Sequence, residues 1–245
     1  MRLASLAIIC MGVLVYGAIC ASEAPDEPVE KKDKSGAPDA RFIRRHEAFI
    51  NDIKKSPNCS LLLVGDFLTD DWRGTNKNGV KAIFDTAFGK YSPVNLGQGG
   101  DYTQNVFWRL QNGELEGINP KVMMLLIGGT NGSNGDDPQK IAAAIEKIIG
   151  YSRKKIPGMK IVLLTVPPFG EKGGMPRARH TAVNPILLKL ADGENIIVVD
   201  LYPKYLMTDG SVNKELMPDG VHFSDKGYQI WADSVAEPLK ALLAK

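Results

Sequence analysis

Cysteine is scarce in this chain of 245 residues, and its scarcity excludes a disulfide framework. There are three cysteines, of which Cys10 and Cys20 fall inside an N-terminal apolar run. The rest of the chain keeps only Cys59, which cannot form an intrachain disulfide by itself. Next to a predicted strand, Cys59 is interpreted as a small apolar residue.

The chain also has no large excess of charge of either sign, and it has no recognisable cofactor-binding motif. The formal net charge is +2, which gives no reason to expect nucleic acid as a partner. The glycines at 97, 99 and 100 lack the third glycine of a dinucleotide-binding motif at its usual distance, so no cofactor is expected. Three scattered histidines and one remaining cysteine provide no ligand spacing, so no metal site is expected. The histidines are His46, His180 and His222.

One apolar run stands out at the N-terminus. Arg2 precedes an apolar stretch over residues 3–21 that ends in small residues, which is the pattern of a secretory signal. We predict a signal peptide over residues 1–21, cleaved after Ala21, and export to the periplasm or the extracellular space. A membrane anchor is the less favoured alternative, because the run is barely long enough to span a bilayer.

The composition changes after the apolar run. Residues 22–40 are rich in Glu, Lys, Asp, Pro and Ser and contain almost no large apolar residue. Such a stretch cannot bury enough apolar surface to fold, so we predict a disordered tether. Residues 41–245 then form the folded unit, and because neither a repeat nor a linker interrupts them, we expect a single domain.

Within that unit, short apolar runs alternate with segments of helical periodicity. This alternation predicts an α/β fold with a mainly parallel five-stranded sheet covered on both faces. The Gly-, Asn- and Asp-rich loops follow the strand ends and should therefore converge on one edge of the sheet. The predicted strands cover residues 60–64, 93–96, 122–127, 160–166 and 196–200. The main predicted helices cover residues 41–55, 102–110, 138–154, 177–191 and 225–243, with a loop and helix over 70–89.

Two short motifs at this edge are candidates for chemistry. Asp219 precedes His222 by three residues, a spacing that lets a carboxylate orient an imidazole that serves as a general base. Asp66 follows the first strand in a Gly-Asp turn, where it could also simply cap the next helix. The other two histidines, His46 and His180, lie in predicted helices and are expected at the surface.

Four blocks of the chain together resemble the SGNH (GDSL-type) hydrolases. They are Gly65-Asp66, Asn95-x-Gly97-x-Gly99-Gly100-Asp101, the strand end at 128–131, and Asp219-x-x-His222. The stretch 95–120 is most similar to the platelet-activating-factor acetylhydrolase catalytic-subunit branch, and the resemblance spans residues 41–243. It implies a flavodoxin-like three-layer α/β/α sandwich. It also implies ester hydrolysis by a serine after Gly-Asp, activated by His222 and Asp219.

The same resemblance implies how the oxyanion would be held. The nucleophile's backbone N–H, the N–H of Gly100 and an asparagine side chain would donate to it. Aligned without gaps, the third block places Thr130 where the family has that asparagine, and Asn131 falls one position late. A shift of one residue would restore Asn131, but the ungapped register is favoured.

The larger departure is Phe67, which stands where the family has its nucleophilic serine. Loss of a triad serine costs roughly 10⁶ in turnover, so the esterase activity is expected to be lost or strongly impaired. The cleft would then bind a carbohydrate, an acyl-bearing ligand such as an acyl ester or an acetylated carbohydrate, or a partner protein. A homodimer, or pairing with an active homologue, fits this family branch.

The alternative is an active esterase or deacetylase that uses His222 and Asp219 with a different nucleophile or an activated water. Thr69, Thr130 and Ser133 are the hydroxyl groups near the strand ends. Thr69 should point away from the direction of residue 67 in a helical first turn. The other two would need a rearranged loop to approach His222.

Overall fold

The computed structural model describes residues 24–74 and 78–243 and contains a five-stranded, all-parallel sheet. The spatial order of the strands is β2-β1-β3-β4-β5. The sheet confirms the α/β class and the five strands expected from the apolar runs. The strands are β1 (Leu61–Gly65), β2 (Val94–Gly97), β3 (Val122–Leu126), β4 (Lys160–Leu164) and β5 (Ile196–Val199).

The central strands are apolar without alternation because both of their faces are covered. Every residue of β1 and β3 is buried. In the register of the sheet, Leu63 of β1 lies between Asn95 of β2 and Met124 of β3. Parallel neighbours in register place the ends of β1, β2 and β3 side by side, so the segments after them meet at one edge.

Helices connect the strands and form the two outer layers. On one face α3 packs against α8, and on the other α6 packs against α4 and α7. This arrangement confirms the predicted three-layer α/β/α sandwich. The helices are α1 (Ala40–Lys54), α2 (Phe67–Asp70), α3 (Asn78–Phe88), α4 (Thr103–Arg109), α5 (Gly129–Asn134), α6 (Pro138–Lys155), α7 (Met175–Leu188) and α8 (Asp225–Leu243).

Aspartate side chains determine where two of the helices begin. Asp39 accepts hydrogen bonds from the backbone N–H groups of Arg41 and Phe42 at 2.8 and 3.0 Å, so α1 starts directly after it. Asp137 caps α6 in the same way through the N–H of Gln139, at 2.7 Å. A carboxylate at the cap satisfies backbone donors that have no partner inside the helix.

The segment of residues 24–39, called the N-terminal segment below, lies against the folded domain. Thr103 donates a hydrogen bond to the carbonyl of Pro25 at 2.8 Å, and Asn105 donates to the carbonyl of Val29 at 3.1 Å. Lys147 of α6 forms an ion pair with Asp26 at 2.7 Å. A disordered tether was expected over residues 22–40; the described residues 24–39 of it lie against the domain and are held by their carbonyls and charges.

The predicted signal peptide over residues 1–21 lies outside the described residues. Among the helices that are described, none combines the length and the hydropathy needed to cross a membrane.

Candidate active site

The turn after β1 places residue 67 at the carboxyl edge of the sheet. A Cβ at Gly65 would clash with the carbonyl oxygen of Leu126 and the Thr69 hydroxyl, so only glycine fits there. Asp66 then caps α2 by accepting a hydrogen bond from the N–H of Leu68 at 3.2 Å. The strand therefore turns sharply into α2 and presents the side chain of Phe67, the first residue of that helix.

Asp66 is a buried carboxyl group beneath this turn. Its side chain is 2% exposed. Loss of hydration on burial, together with the negative charge of Asp101, raises the pKa of Asp66 to about 7, although the hydrogen bond from Leu68 opposes the shift. Because the residue is buried and occupied in capping α2, it supports the turn and does not face the cleft.

The pair of His222 and Asp219 lies in the loop before α8. Nδ1 of His222 and Oδ2 of Asp219 are 2.7 Å apart, while Asp219 Oδ1 accepts the backbone N–H groups of Val221 and His222. Partial burial acts to raise the pKa of Asp219, but these hydrogen bonds lower it to about 2. An ionised Asp219 keeps the proton of the neutral imidazole on Nδ1, so Nε2 of His222 is left as the basic nitrogen.

Phe67 lies directly beside this imidazole. The ring centroids of Phe67 and His222 are 5.0 Å apart with an interplanar angle of 65°. Among the described residues, the Phe67 ring also lies 5.8 Å from the ring centroid of Phe169. A phenyl ring has no proton to give to His222 and no lone pair to attack a carbonyl carbon, so the group beside the base is chemically inert.

Sequence reasoning missed Phe169. It is 3% exposed and follows β4 by a few residues. The guanidinium of Arg177 holds this loop, since it donates to the carbonyls of Phe169, Gly170 and Gly210. The available signal was its position just past the carboxyl end of a strand, which is where residues of such an edge are drawn from.

Gly100 retains the features of an oxyanion donor. Its φ of +80° is a left-handed conformation that favours glycine. Its carbonyl accepts a hydrogen bond from Lys31 of the N-terminal segment at 2.6 Å, whereas its N–H bonds to no group among the described residues. One backbone donor at this edge is therefore available to a ligand.

Asn131, by contrast, has its amide fully engaged inside the domain. Its oxygen accepts from the N–H of Thr103 at 2.9 Å, and its NH₂ group donates to Gln104 at 3.1 Å and to Asp136 at 2.8 Å. The residue is 0% exposed. An amide used in this way cannot also donate to a ligand in the cleft, while Thr130, the preceding residue, is half-buried.

The other hydroxyl groups near the edge are not paired with the base. Thr69 is 1% exposed and packs below the strand ends, where a Cβ at Gly97 would lie 2.8 Å from Thr69 Cβ. Ser133 is exposed, and among the described residues neither it nor Thr130 is hydrogen-bonded to His222. The structure thus brings together Phe67, His222, Asp219 and Gly100, with Asp66 and Asn131 in supporting positions.

The remaining histidines correct the expectation that they lie on the surface. His46 is 6% exposed and bonds to Glu114 at 2.8 Å, because it falls on the apolar side of α1. His180 is 0% exposed and bonds to the carbonyl of Gly129 at 3.1 Å; burial lowers its pKa to about 4. Within the residues described, no three His, Cys, Asp or Glu side chains are grouped so that they could hold a metal ion.

Comparisons with known proteins show to which family the chain is similar. Residues 63–230 match the family model of the GDSL-like lipase/acylhydrolase family. The chain is 31% identical over 207 residues to the platelet-activating factor acetylhydrolase IB subunit alpha2 of Rattus norvegicus, covering 84% of each chain. It is 29% identical over 221 residues to the human subunit alpha1, covering 89% of this chain and 90% of the relative.

A solved structure shows the same fold at lower identity. The GDSL-like lipase of Bacteroides thetaiotaomicron superimposes with a TM-score of 0.63 at 16% identity, over 82% of this chain and 96% of that chain. The five-stranded parallel sheet with helices on both faces is the α/β fold of this structural neighbour. The chain therefore belongs to the GDSL-like lipase/acylhydrolase family.

Proposed function

We propose that this protein is an exported member of its family that binds an acyl ester or an acetylated carbohydrate without hydrolysing it. The observation that carries the proposal is Phe67, whose ring lies 5.0 Å from the His222 ring at the position of the family's nucleophile. Export would follow from the apolar leader over residues 1–21.

The chemistry of the site supports a cleft that does not hydrolyse esters. In the family reaction a serine oxygen attacks the ester carbonyl while the imidazole takes its proton, and the negative charge that develops on the carbonyl oxygen is held by hydrogen-bond donors. Phe67 supplies neither the oxygen nor the proton. With Thr130 in place of the asparagine, a further factor of about 10²–10³ in turnover is lost.

Ligand binding needs fewer groups than catalysis, and those groups remain. The Gly100 N–H is a free donor for a carbonyl oxygen, and the half-exposed His222 offers Nε2 as an acceptor. The half-buried ring of Phe67, which packs on the buried ring of Phe169, is an apolar surface against which an acyl chain can pack. An N–H donor beside an apolar surface suits an acyl ester, since the donor can bind the carbonyl oxygen and the surface can contact the acyl chain.

A second candidate function is slow hydrolysis by a water that His222 activates. The intact hydrogen bond between His222 and Asp219, at 2.7 Å, favours it. Such a reaction would attack the ester carbonyl with the water oxygen, pass the water proton to Nε2 of His222, and return a proton to the leaving alcohol.

Hydrolysis of ethyl butyrate, followed by pH-stat titration, separates the two functions. This ester is unactivated, so it does not react with an exposed imidazole acting alone. We expect no difference between the wild type and His222→Ala, and a gain of turnover in Phe67→Ser that disappears when His222→Ala is added. Adding Thr130→Asn to Phe67→Ser should raise the rate by about 10²-fold. Wild-type turnover that depends on His222 would establish the activated-water function instead.

Binding is measured separately from turnover. Titration of the wild type with ethyl butyrate should shift the NMR signal of the Gly100 amide, while the amide of Gly158, in the turn before β4 at the opposite end of the sheet, should not move. An unchanged Gly100 signal would contradict the proposed binding of an acyl ester.

A further inference from the structure

A second cavity, of about 390 Å³, lies between α1 and the loop that follows β2. Three arginines of α1, at positions i, i+3 and i+4, line one side of it, since residues with this spacing share a helix face. Phe42, His46, Phe49 and Ile53 form the buried side of the same helix. The lining residues are Arg41, Arg44, Arg45, Ala48, Asp70 and Gln98.

Positive charge in this cavity exceeds the negative charge available to it. Asp70 is the only acidic lining residue, and its carboxylate already pairs with both Arg45, at 2.6 Å, and Arg73. Arg41 and Arg44 form no ion pair with any residue in the described part of the chain. Guanidinium groups gathered around one shared carboxylate favour the binding of an additional anion.

One of these arginines is held in place before any ligand arrives. The guanidinium of Arg45 lies 5.1 Å from the ring centroid of Phe49, and its Nη2 bonds to Asp70. A cationic group that is already ordered loses less side-chain freedom when an anion binds. The cavity therefore contains one ordered guanidinium and two exposed ones that can close on a ligand.

Gln98 provides an independent indication of a ligand. It lines the cavity and is only 5% exposed, and its amide oxygen Oε1 is buried and accepts no hydrogen bond from the described residues. A buried oxygen without a donor is unfavourable, because it has lost its water and gained nothing in return. A ligand that carries a hydroxyl group next to its phosphate would donate a hydrogen bond to this oxygen.

We propose that this cavity binds a phosphate monoester whose carbon skeleton carries hydroxyl groups. A carboxylate matches a single guanidinium fork, whereas a phosphate dianion can accept bonds from several at once, which suits three arginines better. The ligand is either a soluble phosphate ester or the phosphomonoester headgroup of a lipid. The site is distinct from the ester cleft and does not depend on the function proposed for that cleft.

The arginine-lined cavity and the ester cleft are adjacent, and the contact between Asp70 and Gly99 connects them. Asp70 Oδ2 accepts a hydrogen bond from the N–H of Gly99 at 3.1 Å. A Cβ at Gly99 would lie 3.7 Å from that oxygen and 3.9 Å from Phe67 Cβ. An anion that draws Arg45 away from Asp70 would therefore act on the loop that carries Gly100.

Calorimetric titration with glycerol 3-phosphate, inorganic phosphate and succinate tests the site. We expect one molecule of glycerol 3-phosphate to bind per chain, more tightly than succinate. The double variant Arg41→Gln/Arg44→Gln should bind it at least about tenfold more weakly. Lys121→Gln/Lys189→Gln removes the same charge from exposed lysines outside the cavity and should leave the affinity unchanged.

The Gln98→Leu variant and a lipid arm complete the test. Gln98→Leu should weaken glycerol 3-phosphate more than inorganic phosphate, because only the former presents carbon-bound hydroxyl groups beyond its phosphate. Sedimentation with vesicles containing lysophosphatidic acid, a phosphomonoester lipid with one free hydroxyl, assigns the phosphate to a lipid headgroup if it is lost in the double arginine variant. Equal weakening in the arginine and lysine variants, or no binding of either phosphate source, would overturn the proposal. Because the readout is binding, it is unaffected by whether ester hydrolysis is found.

Discussion

Phe67 lies beside the His222 ring, and the retained pair of His222 and Asp219 has a structural explanation. Asp219 bonds not only to the His222 ring but also to the backbone N–H groups of Val221 and His222. The carboxylate thus closes the turn before α8. A turn that needs this aspartate keeps the histidine oriented as well, so an intact pair does not by itself require catalysis.

Asp66 supplies a prediction about pH. Its pKa is raised from 3.8 to about 7 in the folded protein, chiefly by burial. The unfolded chain therefore binds fewer protons than the folded one between these values, so the contribution of Asp66 is fully present below pH 4 and is lost as the pH rises through 7. Asp66→Asn keeps an oxygen for the N–H of Leu68 but cannot ionise. We expect its free energy of unfolding, relative to wild type, to increase between pH 4 and pH 8.

Denaturant unfolding at several pH values measures this difference. A shift of about three pKa units corresponds to roughly 4 kcal/mol at most, at about 1.4 kcal/mol per unit. Groups that do not act on Asp66 contribute equally to both proteins, so the difference between them reports on Asp66 and on its coupling with Asp101. Parallel stability curves for the two proteins would show that Asp66 remains ionised in the fold.

At the scale of the element, the N-terminal segment lies across the loop between Gly100 and α4 and is hydrogen-bonded to it. Its backbone pairs with Gln104 through the N–H of Val29 at 3.1 Å, and Lys31 bonds to the carbonyl of Gly100. The same loop contributes the N–H of Thr103 to the Asn131 amide. The segment therefore supports the side of the cleft where the free Gly100 donor lies.

Thr103→Val, a substitution of nearly equal shape, tests whether a hydrogen bond of Thr103 holds the N-terminal segment against the domain. It removes the hydroxyl that donates to the carbonyl of Pro25. We expect a loss of about 1 kcal/mol in the free energy of unfolding and faster tryptic cleavage after Lys31, Lys32 and Lys34, measured by mass spectrometry. Thr181→Val removes an exposed hydroxyl from α7 and is the matched control. Unchanged cleavage in Thr103→Val would mean that this bond does not hold the segment.

The elements that could be predicted from the sequence are those with a strong periodic pattern. Short apolar runs bounded by turn residues predicted all five strands. The runs of β1 and β3 are uninterrupted because both faces of these strands are buried. The position of the N-terminal segment against the domain was not predictable. It depends on carbonyl contacts and distant ion pairs, such as that of Lys147 with Asp26, which leave no periodic pattern in the sequence. The burial of His46 was predictable in principle, as it continues the apolar spacing of Phe42 and Phe49 along α1.

The candidate active site was likewise predictable only in part. The positions of Phe67, His222 and Asp219 could be derived from strand ends and motif spacing. The direction in which the Asn131 amide points could not, because it depends on Thr103, Gln104 and Asp136 from two different segments. Side-chain orientation in a loop is determined by tertiary partners that local sequence does not contain.

At the scale of the whole molecule, a buried charge network ties the site loop to α1 and the sheet. Arg109 is 0% exposed and donates to Asp101 at 2.9 Å, to Glu114 at 2.5 Å and to the carbonyl of Leu96 at 3.0 Å. Glu114 in turn bonds to His46 of α1. Asp101 follows Gly100 directly, so one guanidinium fixes the loop, the end of β2 and, through Glu114, the first helix.

Arg109→Leu should consequently destabilise the whole domain. The substitution leaves the carboxylates of Asp101 and Glu114 buried without their cation, and breaking a buried pair in this way costs about 3–5 kcal/mol. Lys155→Met, which breaks the exposed ion pair with Glu116, should have a far smaller effect because water screens that pair. Denaturant unfolding of both variants measures the contrast. If Arg109→Leu were as mild as Lys155→Met, the two carboxyl groups would have to be neutral in the fold, and the network would then stabilise the loop through hydrogen bonds rather than through charge.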